Sequence, residues 1–382
     1  MKKPTVIDLF AGAGGLSEGF RQQGFNALAA NDFDEFSART FKVTHPETVF
    51  LPGPIQDIDA EDFLKAAKIE YGELDCLVGG PPCQAFSVYN HQRGMHDERS
   101  GLFKEYLRIV EGLNPKYIVI ENVTGMSSVS EGQAIKEIKK GLIDLGYSNV
   151  DSKVLKAEDF GVPQERRRII IIANRMGHEI TWPEPTHVAN GKPHVTVKDA
   201  LSDLPVLDNG QGCDSAAVYP VPFNKATAYQ RLMRKNNLFV SNHEAPKLSE
   251  VNLKRMQYVP QGGSWRDIPH ELLPTGMKRA KRSDHTKRYG RLKEDGLSST
   301  VLTKCDIHWG TFYHPNQERS ITVREAARLQ SFPDNYIFQG PRTEQFRQVG
   351  NAVPPLLAAA VAGEIKKYLL LTEEKCQLIQ QQ

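Results

Sequence analysis

The chain has 382 residues, with 48 Lys and Arg residues against 46 Asp and Glu residues, and a formal net charge of +2. Hydrophobic residues make up 40% and charged residues 25% of it, which excludes a disordered chain, a collagen and a coiled coil. The small net charge argues against a uniformly basic nucleic-acid-binding protein. This length predicts two domains, or one large domain with an insertion.

The compartment is predicted from the apolar runs and the cysteines. No run reaches the roughly 18–20 apolar residues needed to span a bilayer, and the first residues lack the pattern of a signal peptide. The five cysteines are widely spaced and form no CxxC pair, so we expect neither a disulfide framework nor a zinc site. We therefore expect a cytoplasmic protein that uses no metal and no membrane.

Short apolar runs alternate with helical patterns through the first half of the chain. Helices are predicted between the first two strands, over 102–113 and over 134–145. Strands are predicted at 6–10, 25–30, 74–78, 117–120, 150–155 and 169–173. Near-continuous apolar strands that alternate with helices are typical of a parallel, doubly wound α/β sheet.

The pattern changes after Trp182. From 184 to 320 the chain is polar and rich in Pro, Gly and Asn, which predicts a second, smaller and irregular domain. Helices are predicted again at 323–330 and 355–371. The predicted division is a large domain of 1–183 plus 344–382, a small domain of 184–320 and a packing segment at 321–343.

A glycine-rich turn, Asp-Leu-Phe-Ala-Gly-Ala-Gly-Gly over 8–15, connects the first strand to the first helix. Its spacing differs from the dinucleotide motif, and no phosphate-binding Gly-Lys-Ser/Thr follows. Glycines there let the backbone approach a ligand, which suits a nucleoside without a pyrophosphate. Asn31 and Asp32, at the end of the second strand, are candidate acceptors for ribose hydroxyls. A tight turn without a ligand is the alternative.

Cys83 follows Gly-Gly-Pro-Pro directly after a predicted strand. Ligands of open α/β sheets bind at this carboxyl edge, so Cys83 is a candidate nucleophile, with a buried structural cysteine as the alternative. Glu121, at the end of the next strand, is a candidate to hydrogen-bond or protonate a substrate. Arg166 and Arg168 lead into the last strand, either as a charged edge or as a clamp for an anion or carbonyl.

Six segments together resemble the DNA (cytosine-5) methyltransferase family and occur in that family's order. They are 8–20, 79–87, 121–123, 164–168, 324–333 and 350–354. The resemblance implies a Rossmann-like, S-adenosylmethionine-dependent fold whose small domain recognises a target sequence. It also implies sequence-specific transfer of a methyl group to C5 of a cytosine flipped out of double-stranded DNA.

The resemblance also implies roles for individual residues. Cys83 would attack C6 of the cytosine, and Glu121 would contact N3 and the exocyclic amine. Arg168 would hold the cytosine carbonyl oxygen, and Arg166 would support the loop and a nearby phosphate. The residues implied in cofactor binding are Phe10, Gly12, Gly14, Asp32, Phe33, Leu102, Asn351 and Ala352. Those implied in DNA contact are Ser87, Arg291, Thr300 and Val301.

One position departs from the family pattern. Many members have Gly-Asp-Ile where this chain has Gly53-Pro54-Ile55. The contact that this Asp makes with the adenine amino group is then lost. Asp57 is the candidate replacement.

The small net charge averages over regions of opposite sign. Residues 31–75 contain eleven acids and four bases, whereas 278–291 contain seven bases and one acid. The basic stretch is either a solvated face or a set of phosphate contacts, and the resemblance favours the phosphate contacts. We therefore expect a localised positive surface that binds DNA with salt-sensitive affinity.

Three other functions are weighed against this interpretation. A tRNA cytosine-5 methyltransferase is the nearest alternative, but its Cys-Phe-Thr segment is absent. Cys83, Glu121 and Arg168 argue against a catalytically inactive DNA-binding homologue, and the glycine spacing argues against a nicotinamide dehydrogenase. The expected protein is a monomer in a modification system, with a cognate restriction endonuclease as a functional rather than a physical partner.

Overall fold

The computed structural model describes residues 3–81, 101–127, 132–188, 191–235 and 237–380, with only the backbone described for 127 and 372–380. It contains two compact units. The first unit comprises Met1–Ala157, Arg167–Pro185 and Val353–Gln382, and the second comprises Glu158–Arg166 and Thr186–Ala352. Within the described ranges, no helix is long and apolar enough to cross a membrane. The division into a catalytic and a target-recognition domain stays a prediction.

The first unit is built on a seven-stranded sheet with the order β3-β2-β1-β4-β5-β7-β6. The strands are β1 (Thr5–Leu9), β2 (Asn26–Asp32), β3 (Val49–Pro52), β4 (Cys76–Gly79), β5 (Tyr117–Val123), β6 (Asn149–Lys156) and β7 (Arg167–Asn174). β1 is buried along its whole length, which explains why three of its five residues are apolar. This architecture confirms the predicted α/β class. β3 is missing from the prediction because it is a four-residue edge strand with an exposed first residue.

The prediction of a wholly parallel sheet is wrong at one strand. β7 is antiparallel to both of its neighbours, β5 and β6, whereas the pairs from β3 to β5 are parallel. A parallel neighbour needs a long crossover, usually a helix. The connection from β6 to β7 contains only a single 3-10 turn, Ala157–Phe160, so β7 returns beside β6 in the opposite direction.

Helices of the first unit cover this sheet. They are α1 (Gly15–Gln22), α2 (Glu35–Thr44), α3 (Ala60–Ala67), α4 (Gly101–Leu113), α5 (Gln133–Asp144) and the C-terminal helix (Pro355–Gln380). Tyr106, Ile109 and Val110 of α4 are fully buried in the same apolar core as Leu77 and Ile118 from the strands. The helices predicted at 102–113 and 134–145 are therefore confirmed to within one residue.

The C-terminal helix packs closely on α1. A Cβ atom at Gly19 would lie 2.4 Å from Cβ of Ala358 and 2.6 Å from the carbonyl oxygen of Pro355, so only glycine fits there. The Lys366 ammonium donates a hydrogen bond of 2.7 Å to the carbonyl of Gln23 at the other end of α1. The first and last helices of the chain thus form one pair.

The second unit is made of short elements, as its irregular sequence predicts. Its strands are β8 (Gly212–Cys213), β9 (Ala217–Val218), β10 (Phe239–Val240), β11 (His243–Glu244), β12 (Gly290–Arg291) and β13 (Thr311–Tyr313). Its helices are α6 (Val197–Leu201), α7 (Ala228–Arg234), α8 (Glu250–Met256), α9 (Val323–Leu329) and α10 (Arg342–Asn351). α9 confirms the helix predicted at 323–330, whereas α10 was not predicted.

Buried ion pairs stabilise the second unit around α9. The Arg319 guanidinium donates two hydrogen bonds, of 2.8 and 2.6 Å, to the Glu325 carboxylate. Arg328 bonds in the same way to Asp334 and also contacts Asp203. Burial alone would raise the pKa of Glu325, but Arg319 holds it well below its usual range. These charged groups are buried inside the second unit.

Candidate active site

The glycine turn leaves β1 with three residues in the left-handed region of backbone conformation. Gly12 and Gly14 have φ values of 54° and 93°, and Phe10 adopts 55° despite its side chain. The Gly12 N–H donates a 2.8 Å hydrogen bond to Oδ2 of Asp32. The Asp34 N–H donates to Oδ1 of the same carboxylate, also at 2.8 Å. The structure therefore brings together four of the residues predicted to bind a cofactor, which are Phe10, Gly12, Gly14 and Asp32. Asp34 lies beside them.

Asp8 forms hydrogen bonds on the other side of this turn. Its Oδ2 accepts hydrogen bonds from the Ser17 N–H at 3.1 Å and from the Ser17 hydroxyl at 2.6 Å. Ser17 lies in the first turn of α1, whose N-cap Gly14 has no side chain to accept from these free N–H groups. Asp8 is fully buried, and burial raises the pKa of its carboxyl to about 7 although the Ser17 hydrogen bonds oppose this.

Replacement of Asp8 by Asn is expected to flatten the dependence of stability on pH. Between about pH 4 and pH 7 the folded protein holds a proton on Asp8 that the unfolded chain has lost, so its stability falls as the pH rises. Thermal unfolding at pH 5, 6.5 and 8 measures this slope. Asp8→Asn should reduce the slope, while Asp57→Asn, an exposed control, should not. Parallel curves for the two variants would refute the assignment.

A cavity of about 280 Å³ lies beside Asp32 in the first unit. Its lining residues are Asp32, Phe33, Asp34, Glu35, Ala38, Arg39, Lys42 and Pro52. Phe33 presents an exposed ring, with 68% of the residue's surface accessible. A carboxylate has about four lone-pair sites, so Asp32 can accept further donors besides the N–H groups of Gly12 and Asp34. Burial raises the pKa of Asp32. An open cavity with an acceptor and an aromatic face fits a nucleoside.

Two further cofactor candidates occupy defined positions in the first unit. Leu102 lies in the first turn of α4 and packs partly buried against the apolar core. Asp57, the candidate replacement for the missing family Asp, is exposed in a 3-10 turn and does not line the cavity. Its role at the adenine stays a prediction.

The loop that leads to Cys83 is held against β5. A Cβ atom at Gly80 would lie 3.1 Å from Oε2 of Glu121, so the loop backbone passes directly beside this carboxylate. The Asn122 side-chain amide donates a 3.1 Å hydrogen bond to the Pro81 carbonyl. Glu121 is buried within β5, which extends three residues beyond the predicted strand end. Cys83 and Ser87 lie outside the described residues, and their roles stay predictions.

Arg168 pairs with Glu121 at this edge of the sheet. Its Nε lies 2.7 Å from Oε1 of Glu121, and the two side chains are only 13% and 11% exposed. The pairing follows from the antiparallel β7, where Arg168 lies opposite Val123 and reaches Glu121 diagonally. Burial lowers the pKa of the Arg168 guanidinium, and the Glu121 charge opposes this shift. Two of the predicted catalytic residues therefore form one buried charge pair.

Arg166 lies in the second unit and bonds mainly to backbone carbonyls. Its guanidinium donates to the carbonyls of Val301 at 3.1 Å, Gly350 at 2.8 Å and Ala352 at 3.1 Å. Its backbone N–H donates to the Glu158 carboxylate at 3.1 Å. These contacts support a positioning role, because they join three segments that are far apart in sequence.

Gln164 and Gln330 complete this cluster in the second unit, and neither was predicted as a site residue. The Gln164 amide donates to Gln330 at 2.6 Å and accepts from the Val301 N–H at 3.0 Å. The Gln330 amide donates to the Ala352 carbonyl at 2.7 Å. Asn351 is exposed at the end of α10. The sequence did contain a signal for Gln164 and Gln330, since both glutamines fall inside segments that resemble the family.

The predicted DNA-contacting residues of the second unit are held by backbone groups. Val301 is buried, and the Thr300 hydroxyl donates to the Glu165 carbonyl at 2.7 Å. The Arg291 guanidinium donates to the carbonyls of Val259, Met256 and His314. Contact of these three residues with DNA stays a prediction.

Among the described residues, no group of three or more His, Cys, Asp or Glu side chains is placed to hold a metal ion. Their cysteines are free, with Cys76 and Cys305 buried and Cys213 exposed. The first unit instead offers a buried carboxylate–guanidinium pair and a nucleoside-sized cavity.

Comparison with known proteins identifies the family. The family model for C-5 cytosine-specific DNA methylases matches residues 4–367. The Type II methyltransferase M.AgeI of Thalassovita gelatinovora is 35% identical over 94% of this chain and 99% of its own length. M1.HphI of Haemophilus parahaemolyticus, also a Type II methyltransferase, is 36% identical over 95% and 87% of the two chains.

Solved structures show the same fold. A putative DNA modification methyltransferase encoded within a prophage (E. coli) has a TM-score of 0.77 and 26% identity, covering 96% of this chain and 99% of that chain. The S. pombe Dnmt2 methyltransferase has a TM-score of 0.58 at 17% identity, which shows the fold alone. The sequence matches and the α/β architecture agree, and the chain belongs to the family of C-5 cytosine-specific DNA methylases.

Proposed function

We propose that this protein transfers a methyl group from S-adenosylmethionine to C5 of cytosine at a fixed sequence in double-stranded DNA. The observation that carries the proposal is the buried Glu121–Arg168 pair, with the loop that leads to Cys83 held against Glu121. A carboxylate and a guanidinium thus meet beside Gly80 and Pro81, which precede the candidate nucleophile in the sequence. The Type II relatives support DNA as the substrate.

The first unit offers groups that would bind S-adenosylmethionine. The Asp32 carboxylate would accept hydrogen bonds from the ribose hydroxyls, and the exposed Phe33 ring would contact the adenine. The turn at Phe10, Gly12 and Gly14 would pass close to the methionine part of the cofactor. When bound, this cofactor supplies a methyl group on a sulfonium, an activated donor that needs no metal.

The chain's own residues would activate the cytosine. The Cys83 thiolate would form a bond to C6, which makes C5 nucleophilic. Glu121 would bind N3 and the exocyclic amine, and Arg168 would donate hydrogen bonds to the carbonyl oxygen, so both stabilise the charge that develops on the ring. Once C5 carries the methyl group, loss of the C5 proton and departure of Cys83 would restore the aromatic base and the free thiol.

A cytosine stacked in a duplex is out of reach of such a site, so the base must be flipped out. The exposed Lys and Arg residues of 278–291 would contact phosphates and give the salt-sensitive affinity expected from the sequence. Its Type II relatives place the protein with the methyltransferases of restriction–modification systems. A cognate restriction endonuclease would act on the same sequence without binding this chain, and the protein would work as a monomer.

Covalent trapping tests this function. A duplex that contains 5-fluorocytosine at the target should form an adduct that survives denaturation, because fluorine at C5 blocks the release of Cys83. Cys83→Ser should abolish the adduct, whereas Cys213→Ser, which changes an exposed cysteine in the second unit, should leave it unchanged. Denaturing gels with labelled DNA and added S-adenosylmethionine measure the outcome.

The substrate class is read from bisulfite sequencing together with trapping on different nucleic acids. Bisulfite sequencing of DNA from cells that express the protein should show methylated cytosines in one short context. Adducts and methylation confined to tRNA would favour the tRNA alternative. An absence of adducts on every DNA and RNA tested would contradict the catalytic proposal, and retained DNA binding would then favour the inactive homologue.

A further inference from the structure

Six basic residues in the second unit form one patch, here called the basic patch. They are Lys278, Arg279, Lys281, Arg282, Lys287 and Arg288. Five of them are exposed, and Arg288 is half-buried. Within the described part of the chain, no ion pair joins any of the six to an acid. This contrasts with the paired arginines around α9, and it leaves the positive charge of the basic patch available to an anionic partner.

Arg288 differs from the other five because an aromatic ring holds it. Its guanidinium lies over the Trp309 ring, 4.8 Å from the ring centroid. Trp309 itself is 52% exposed, which is unusual for so large an apolar side chain. The guanidinium also makes a weak contact of 3.6 Å with the Met277 sulfur. In the described structure the hydrogen-bond donors of Arg288 are therefore largely unused, while the Trp309 ring restrains the guanidinium.

The backbone around this pair is also fixed. The Arg288 carbonyl accepts a 2.9 Å hydrogen bond from the Trp265 N–H, and the Tyr289 N–H donates at 2.7 Å to Ile307 in the loop that carries Trp309. Tyr289 is buried and adopts a φ of 52°, which is disfavoured for an aromatic residue. Strained backbone that its surroundings hold in place is typical of functional sites.

We propose that Arg288, held by Trp309, reads a guanine in the recognition sequence, while the other five residues of the basic patch bind phosphates. A guanidinium presents a planar fork of donors that matches O6 and N7 of guanine in the major groove. Stacking on an aromatic ring restricts its rotation, which favours a directional contact over a diffuse one. This inference rests on the proposed function, since it names a residue that recognises the same DNA.

Arg291 provides an internal contrast. It lies three residues further on, but its guanidinium donors bond to the carbonyls of Val259, Met256 and His314. The donors of Arg291 are therefore used by hydrogen bonds within the second unit. Among the arginines of 278–291, Arg288 alone combines a cation–π contact with largely unused donors in the described structure.

The test measures methylation rates on a set of duplexes in which each position of the site found by bisulfite sequencing is replaced in turn. Arg288→Ala should lose discrimination at one G·C pair by about 10- to 100-fold and keep it elsewhere. Arg288→Lys, which keeps the charge but lacks the fork, should lose it too. Lys278→Ala, the matched control, should weaken binding to all duplexes equally and reduce the salt slope by about one.

The outcomes distinguish guanine recognition by Arg288 from a phosphate contact. If Arg288→Ala behaves like Lys278→Ala, Arg288 is a phosphate contact and the inference is wrong. If Arg288→Lys retains full discrimination, the planar fork is not needed and the inference also fails. Thermal unfolding of each variant shows that the protein is folded. If the unaltered protein methylates no DNA, the proposed function itself fails, so the two failures are distinguishable.

Discussion

Glu121→Gln should lower the rate of methyl transfer in a single turnover by about 10²- to 10⁴-fold, the range typical for loss of a group that stabilises charge or moves a proton. Glutamine keeps the length of the side chain but cannot carry the negative charge that pairs with Arg168 at 2.7 Å. It also cannot take up a proton shared with N3 of the cytosine. Quenched-flow transfer of a radiolabelled methyl group to a short duplex measures the rate.

Binding should change much less than the rate, because the Glu121 contact matters most where charge develops on the ring. The matched control is Lys116→Gln, which breaks the 2.7 Å ion pair with Asp75 before the start of the same strand. Its single-turnover rate should stay near that of the unaltered protein. A fall of less than about tenfold for Glu121→Gln would contradict a direct role of this carboxylate in the reaction.

Arg166→Met should mainly destabilise the protein. The substitution removes the donors for the Val301 and Gly350 carbonyls, which lose a buried partner, whereas the Ala352 carbonyl keeps its hydrogen bond from Gln330. Unsatisfied buried groups cost about 1–3 kcal/mol each, so a loss of about 3–5 kcal/mol is expected. That corresponds to a fall in Tm of roughly 6–20 °C. Thermal unfolding followed by circular dichroism measures it.

The neighbouring residue provides the control for this prediction. Arg167 is exposed, so Arg167→Met should leave the Tm almost unchanged. The single-turnover rate of Arg166→Met, measured far below its melting range, should fall less than that of Glu121→Gln. An unchanged Tm together with a large loss of rate would show that Arg166 acts on the substrate rather than on the fold.

The sequence predicted the α/β class, most strands and the edge of the sheet where Glu121 lies, because these depend on local apolar patterns. The direction of β7 was missed because apolar strands look alike whichever way they run. The ion pair of Arg168 with Glu121 follows from that direction, so it could not be derived from the chain in isolation. The resemblance to the family identified both residues without showing that they meet.

Arg166 and Arg168 show a second limit of the sequence. They are two residues apart and appear equivalent in the charged run at 165–168. Their partners decide their roles: a carboxylate for Arg168 and distant carbonyls for Arg166. Those carbonyls come from near 301 and 350, and only the folded chain places them around one guanidinium. Long-range contacts of this kind leave no periodic trace in the sequence.

The pairing of α1 with the C-terminal helix constrains how the protein is made. The groove that Gly19 opens on α1 is filled by Ala358, so a nascent chain exposes that face until the segment around Ala358 leaves the ribosome. At about 5–20 residues per second, synthesis keeps it uncovered for many seconds. Contacts between segments so far apart in sequence also raise the contact order and slow folding. Cotranslational folding of the first unit therefore cannot finish before the segment around Ala358 has been synthesised.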